Sequence, residues 1–257
     1  MWNPITITNQ KISEKNFEKL VSGQVPAIII KNFYSKEQCV SVVKKIEKIE
    51  KSHFSKTQLE HIGPFLMSYT TKKEEYFHKS KEFQKTISDI LEDVPNPLSK
   101  VSVVISNPLP TFSISLAKQF EGNFSPFIIR IHRKGKSIPI HKDNVQYEGK
   151  DYSISDIDHQ LSCVIHLQES ESGGILKIYK NQWTKKDEKF RNIEFGYSSK
   201  VATKEFCRLS EISNGDLVII NPNYYHEVTK ILGTTPRITL GMFLGIYNKN
   251  NKIAVWA

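Results

Sequence analysis

The amino-acid sequence predicts an α+β chain whose core is mainly β, on three observations. Helical periodicity dominates the first hundred residues, short apolar or alternating runs replace it from Phe124 onward, and Gly, Pro and Asn punctuate those runs at turn spacing. With 257 residues and 39% hydrophobic content, the chain can bury a sizeable core in one unit. The expected organisation is one domain over 1–257, with a helical annex and the first strands in 1–123 and the β core in 124–257.

Gln24 to Phe33 (QVPAIIIKNF) reads as a buried strand. Ser35 then opens a helix, with Gln38 at capping-box spacing, that runs to about Lys51. Cys39, Val42, Val43, Ile46 and Ile49 form its inward stripe, and Lys44, Lys45, Lys48 and Lys51 its solvated face. A second helix is expected over Lys73 to Leu91, with Tyr76, Phe77, Phe83, Ile87, Ile90 and Leu91 inward and a stop at Pro95-Asn96-Pro97. His53, His61 and His78 read as surface or packing residues.

The β part begins with Pro126 to His132, a turn at Arg133 to Lys136, and Ser137 to His141. Further strands fall in Gln160 to Trp183, where Cys163, Ile165 and Leu167 share one face and His166 lies on the other. His166 reads as a packing residue in preference to a pocket residue. Gly173-Gly174 turns the chain before Ile175 to Tyr179. The charged, partly aromatic stretch Trp183 to Leu209 reads as a lid over a substrate or, nearly as well, as a solvent-exposed excursion. Asp216 to Ile220, Tyr224 to Ile231 and Arg237 to Leu244 form three further strands, expected as a β-meander.

The formal charge is +9, but lysines are spread over 11–100 and 180–204, and no basic stretch carries a nucleic-acid motif. Cys39, Cys163 and Cys207 are odd in number and lack C-x-x-C spacing, which excludes a disulfide framework or zinc knuckle. The first ten residues lack a signal-peptide pattern and no apolar run approaches ~18 residues. The expectation is a cytoplasmic protein with a small-molecule substrate, no membrane partner and no nucleic acid; oligomeric state is not legible.

The chemistry concentrates in two places. His141-Lys142-Asp143 follows a strand, and an H-x-D there lets imidazole and carboxylate point the same way. Taken alone this is a frequent chance pattern. It gains weight from His226 on a later strand, followed eleven residues on by Arg237, with Thr239 on the same face. Two imidazoles and one carboxylate form the facial set that leaves positions of Fe(II) open for a bidentate 2-oxo acid and O2. A buried Arg237 needs an anionic partner its strand does not supply, and the far carboxylate of 2-oxoglutarate, with Thr239 beside it, would answer that need. Arg130 is a second candidate for an acidic group of substrate or co-substrate. Parity places His132 and Ile138 toward the pocket, and Asn144 and Trp183 complete the candidates.

Three segments carry a family resemblance: FIIRIHRKGKSIPIHKDN (127–144), QLSCVIHLQESESGGILKIYKNQW (160–183) and GDLVIINPNYYHEVTKILGTTPRITLGMFLG (215–245). They resemble the Fe(II)/2-oxoglutarate oxygenases, and among them the cyanobacterial carrier-independent halogenases of hapalindole- and welwitindolinone-type alkaloids. The resemblance implies a double-stranded β-helix, or jelly roll, with the N-terminal helices packed outside one sheet. It also implies iron on His141 and His226, and 2-oxoglutarate on Arg237. The sequence departs from those halogenases at one position: they carry Gly where this chain has Asp143, and the Gly leaves room for chloride. A resident carboxylate implies hydroxylation, or another halide-free oxidation, of an unactivated C–H in a freestanding natural-product or amino-acid-like metabolite. Two other classes compete. One is an oxidative demethylase or hydroxylase of nucleic acid or protein; the sequence lacks the second Arg of the nucleic-acid repair motif after Arg237 and has no base-stacking platform. The other is a non-enzymatic jelly roll with a structural metal, which would need a fourth ligand the sequence does not offer.

Overall fold

The computed structural model describes residues 1–49, 59–192 and 195–257, together with the backbone of 52–53. Its N-terminal part holds β1 (Ile5–Ile7), α1 (Glu14–Val21), β2 (Ala27–Ile30), α2 (Lys36–Glu47), β3 (Ser52–His53), β4 (Glu60–Ile62), α3 (Lys73–Leu91) and α4 (Pro97–Ser106). There follow β5 (Ser113–Leu116), β6 (Lys118–Gln119), β7 (Gly122–Asn123), β8 (Ile128–His132), β9 (Ile138–His141), α5 (Val145–Glu148), β10 (His159–Gln168) and β11 (Leu176–Gln182). The chain closes with β12 (Phe206–Leu209), β13 (Leu217–Ile220), β14 (Tyr224–Val228), β15 (Arg237–Tyr247) and β16 (Lys252–Trp256).

The expected capping box forms: Ser35 Oγ accepts from Gln38 N, and Gln38 returns a bond to the Ser35 N–H. α2 ends at Glu47, short of the expected Lys51, which lies with the His53 side chain outside the described residues. α3 spans Lys73–Leu91 as expected. The Pro95-Asn96-Pro97 stop is also a start, because Asn96 accepts from Leu98 N and Ser99 N and Pro97 occupies the first turn of α4, a helix the sequence reading missed.

Among the described residues the strands form a large sheet, a small one and a separate two-stranded pair, β6-β7. The large sheet runs β1-β2-β13-β10-β15-β8-β4-β3, with β16 and β5 continuing beside β15; the small one runs β12-β11-β14-β9. Alternation divides the large sheet by face. Cys163, Ile165 and Leu167 of β10 and Ile238, Leu240 and Met242 of β15 join one apolar cluster with Cys39, Val42 and Ile46 of α2, Ile87 and Ile90 of α3, and Val101 and Val104 of α4. The helices thus cover the outer face, each fully buried aliphatic side chain contributing about 1.5–3 kcal/mol. No helix among the described residues is long and apolar enough to cross a membrane.

The expected meander does not form. β13 pairs with β10 and β2, β14 with β11 and β9, and β15 with β10, β8 and β16. Both edges of β13 are occupied, so the chain leaving it has no edge to pair with and crosses to the small sheet through Asn221-Pro222-Asn223. There the Asn223 N–H donates to Asn221 Oδ1 at 3.1 Å. It returns to the large sheet at Arg237. His226 and Arg237 therefore stand on opposing walls instead of one hairpin face.

Candidate active site

His141 ends β9, and His226 lies directly opposite it in the β14 register. Asp143 follows the strand end, its N–H donating to Pro222 O at 2.9 Å, so the inter-sheet crossover fixes the loop that carries the carboxylate. One donor atom from each of the three lies within 4.8 Å of the others. The two imidazole centroids are 4.1 Å apart, and Asp143 Oδ2 is 3.6 Å from His226 Nε2. Each imidazole bonds a backbone carbonyl two residues back through Nδ1: His141 to Pro139 O and His226 to Tyr224 O, both at 2.9 Å. With the proton on Nδ1, the Nε2 lone pair is free for a metal. Burial, with His226 adding to it, pulls His141 down to about 3, so it is neutral and ready to ligate. For Asp143 burial alone would raise the carboxyl, but the close approach of His226, with His141 and the Arg130 charge, brings it down to about 2. The donor set fits a divalent iron with open positions: two neutral imidazoles and one anionic oxygen.

The facing wall is the inner side of the large sheet. Arg130 of β8 is paired with Thr239 of β15, His132 with Arg237, and from β10 His166 with Thr239, Val164 with Gly241 and Ser162 with Phe243. Arg237 is 3% exposed. Its Nη1 donates to His132 Nδ1 at 3.4 Å, and its Nε lies 3.7 Å from Glu169 Oε1. Its own strand supplies no anion, as expected; Glu169, just past the end of β10, supplies a distant one. Glu169 is shared, because His166 Nδ1 donates to the same oxygen at 2.6 Å. Among the described residues His132 Nε2, His166 Nε2 and Arg237 Nε remain buried without a hydrogen-bond partner. Such orphaned groups each cost about 1–3 kcal/mol unless something occupies the space they face. Burial lowers the pKa of both histidines, with Arg237 and Arg130 adding to the effect at His132 and Glu169 opposing it at His166.

Between the walls lies a cavity of about 590 Å³, within the range of small-molecule sites. Arg130, His132, Ile138, His141, Asp143, His226, Arg237 and Thr239 all line it. Asn144 and Trp183, expected at the pocket, do not. Asn144 caps α5 by accepting from Tyr147 N and donates to Asn223 Oδ1. Trp183 donates to Glu188 Oε1 at 2.9 Å, and its ring lies 4.6 Å from Lys142 Nζ. His166, expected as packing, lines the cavity.

Sequence reasoning missed Ser162, Val164, Glu169, His61, Lys142 and Phe195. The parity that set His166 apart from Cys163 also selects Ser162 and Val164, so that signal was present. Lys142 is buried and pairs with Glu148 at 2.8 Å, and Glu148 also binds Arg191 at 2.9 Å, which ties the segment after Trp183 to the metal loop. That segment contributes Phe195, edge-on to His141 at 5.6 Å, and its far end is not a loop but β12.

The mainly β fold is shared with 2-oxoglutarate–Fe(II) oxygenases of known structure. An N-substituted L-amino acid dioxygenase from Burkholderia ambifaria AMMD superposes with a TM-score of 0.61 at 14% identity, covering 95% of this chain and 91% of that one. The 2-oxoglutarate-dependent carbocyclase SnoK of nogalamycin biosynthesis gives 0.53 at 11% identity, covering 91% and 86%. HygX from Streptomyces hygroscopicus, solved with nickel and 2-oxoglutarate, gives 0.50 at 13% identity, covering 87% and 84%. At these identities the likeness is one of fold. Residues 2–257 match the family model of the carrier-protein-independent halogenase WelO5, and the chain belongs to that family. Among curated proteins no match is found.

Proposed function

We propose that this chain is an Fe(II)- and 2-oxoglutarate-dependent dioxygenase with a jelly-roll core that hydroxylates an unactivated C–H of a freestanding small molecule. The observation that carries this reading is the convergence of His141, Asp143 and His226 opposite a buried Arg237 with unsatisfied donors around it. His141, Asp143 and His226 hold the iron. Arg237 and Thr239, with the His132 Nε2–H beside them, receive the far carboxylate of 2-oxoglutarate. Bound iron and 2-oxoglutarate supply, with O2, an oxidant able to take a hydrogen atom from carbon, the balance being R–H + 2-oxoglutarate + O2 → R–OH + succinate + CO2. The protein places the reacting groups and keeps water out.

Hydroxylation, and not halogenation, follows from Asp143. Its carboxylate is anionic, faces the cavity and is held on a loop fixed to Pro222, so it occupies the protein-side position and supplies the charge a halide would otherwise bring. Asn144, the nearest side chain that could have helped retain a halide, is engaged as a helix cap and to Asn223. The amino-acid dioxygenase and the carbocyclase of nogalamycin biosynthesis that share the fold support a small-molecule substrate in a cavity of this size. The test has two arms. Anaerobic addition of Fe(II) and 2-oxoglutarate must give the visible charge-transfer band of a chelated 2-oxo acid, which a closed structural site would not. Mass spectrometry of turnover products in chloride buffer must show added oxygen; a chlorinated product overturns the hydroxylase assignment, and Asp143→Gly is expected mainly to lose activity.

A further inference from the structure

Arg130 is a cation the proposed iron and co-substrate chemistry leaves unassigned. It projects from β8 into the cavity, where surrounding atoms desolvate it, and its pKa is lowered by that burial. Among the described residues no acceptor hydrogen-bonds its guanidinium; its contacts are the Phe65 ring, 5.0 Å from Cζ, and the longer-range attraction of Asp143. A metal on the triad would take up the Asp143 charge, leaving a desolvated guanidinium beside a cation with no anion of its own. That arrangement is costly unless a ligand brings the negative charge.

The sheet is shaped to receive this group. A Cβ built on Gly241 would stand 2.6 Å from Arg130 Nη1, so any other residue at 241 would displace the guanidinium. No unusual φ explains this glycine, and the space it leaves is filled by the arginine. Gly241 is four residues along β15 from Arg237, about 13 Å at strand rise. The guanidinium therefore lies toward Phe243 and Phe65, whose rings are 6.3 Å apart, and away from the end where Arg237 and Glu169 meet. At the rim, Lys72 and Lys79 share the single acid Glu75, at 3.5 and 3.1 Å, which leaves that rim net positive.

We propose that Arg130 anchors a carboxylate, or an equivalent anionic group, of the substrate, and that the enzyme selects small molecules bearing one such group next to an apolar body that packs on Phe65, Tyr69 and Phe243. This rests on the oxygenase reading above. A planar guanidinium matches a carboxylate in two parallel bonds, which fixes the substrate in orientation as well as in affinity. The alternative source of the same chemistry is the near carboxylate of 2-oxoglutarate, and the experiment separates the two.

Calorimetric titration of the anaerobic Fe(II)- and 2-oxoglutarate-loaded protein would use a matched pair of probes, N-acetyl-L-phenylalanine and its neutral amide. The carboxylate is expected to bind at least tenfold more tightly than the amide. Arg130→Gln should abolish that preference, Arg130→Lys restore part of it, and Gly241→Ala weaken it, while half-saturation by 2-oxoglutarate in the charge-transfer titration stays within about twofold. Absence of a preference in the wild type, including failure of both probes to bind, overturns the proposal. So does a tenfold rise in the 2-oxoglutarate requirement of Arg130→Gln, which would assign the arginine to the co-substrate. Failure of the charge-transfer band in the wild type would instead overturn the oxygenase reading, while the probe preference is still read by heat.

Discussion

The small-sheet wall and the large-sheet wall of the cavity solve different problems. On the small sheet both imidazoles are already oriented, each by its own backbone carbonyl, and the carboxylate loop is pinned to the crossover at Pro222. On the large sheet His132, His166 and Arg237 each keep a buried nitrogen without a hydrogen-bond partner among the described residues, where Arg130 likewise meets no acceptor. The first wall is organised to present lone pairs in a fixed direction to a cation. The second holds the His132 and Arg237 N–H groups and positive charge in reserve for anions, with the His166 Nε2 lone pair beside them as an acceptor. Direction is set before binding where coordination geometry is strict, and satisfaction is deferred where the ligand itself is polar enough to provide it.

The strongest way to break this comparison is to remove a small-sheet donor. His226→Ala and His141→Ala are each expected to abolish iron-dependent succinate formation while circular dichroism stays unchanged; full turnover in either would show that the metal lies elsewhere. The large-sheet wall should respond by degree. Arg237→Ala removes a charge-assisted pair worth about 1.5–3 kcal/mol and should raise the 2-oxoglutarate requirement at least tenfold, with Lys rescuing only part. An unchanged requirement would remove Arg237 from the co-substrate site.

Acid stability sharpens the comparison further. His132, His141 and His166 are all held below their ordinary pKa of 6.5, chiefly by burial, with His141 at about 3. Below pH 6.5 the unfolded chain takes up protons at these sites that the folded chain refuses, so the metal-free protein loses stability as pH falls from 6.5 toward 3. The slope is up to ~1.4 kcal/mol per pH unit for each imidazole. Urea unfolding in chelator at pH 7.5 and 5.5 should show this loss, and His132→Gln should flatten it; an identical acid limb in that variant would mean His132 takes no part. The smallest effect is expected far from both walls. Ser35→Ala at the head of α2 should cost about 1 kcal/mol in the same assay and leave the 2-oxoglutarate requirement as it was, and a changed requirement would mean that the helical layer reaches the site.

The sequence by itself determined the local elements and the parity of their side chains. The capping box at Ser35, the span of α3, the outward turn of Cys163 and Ile165 against His166, and the shared inner faces of Arg130 with His132 and of Arg237 with Thr239 all follow from short-range periodicity, which neighbouring residues fix. The order of His141, Asp143 and His226 along the chain was likewise legible, as was the need of a buried Arg237 for an anion. Tertiary structure alone decided which strands meet. Whether β14 pairs with β13 or crosses to another sheet depends on which edges β2 and β10 have already taken, and no residue in Asn221-Pro222-Asn223 encodes that. The same holds for the groups that arrive from a distance: Glu169, just past the end of β10, reaches Arg237, and Gly241 makes room for an arginine from β8. These are through-space pairings between segments far apart in sequence, and their energies depend on burial and charge surroundings that exist only once the two sheets have closed on each other.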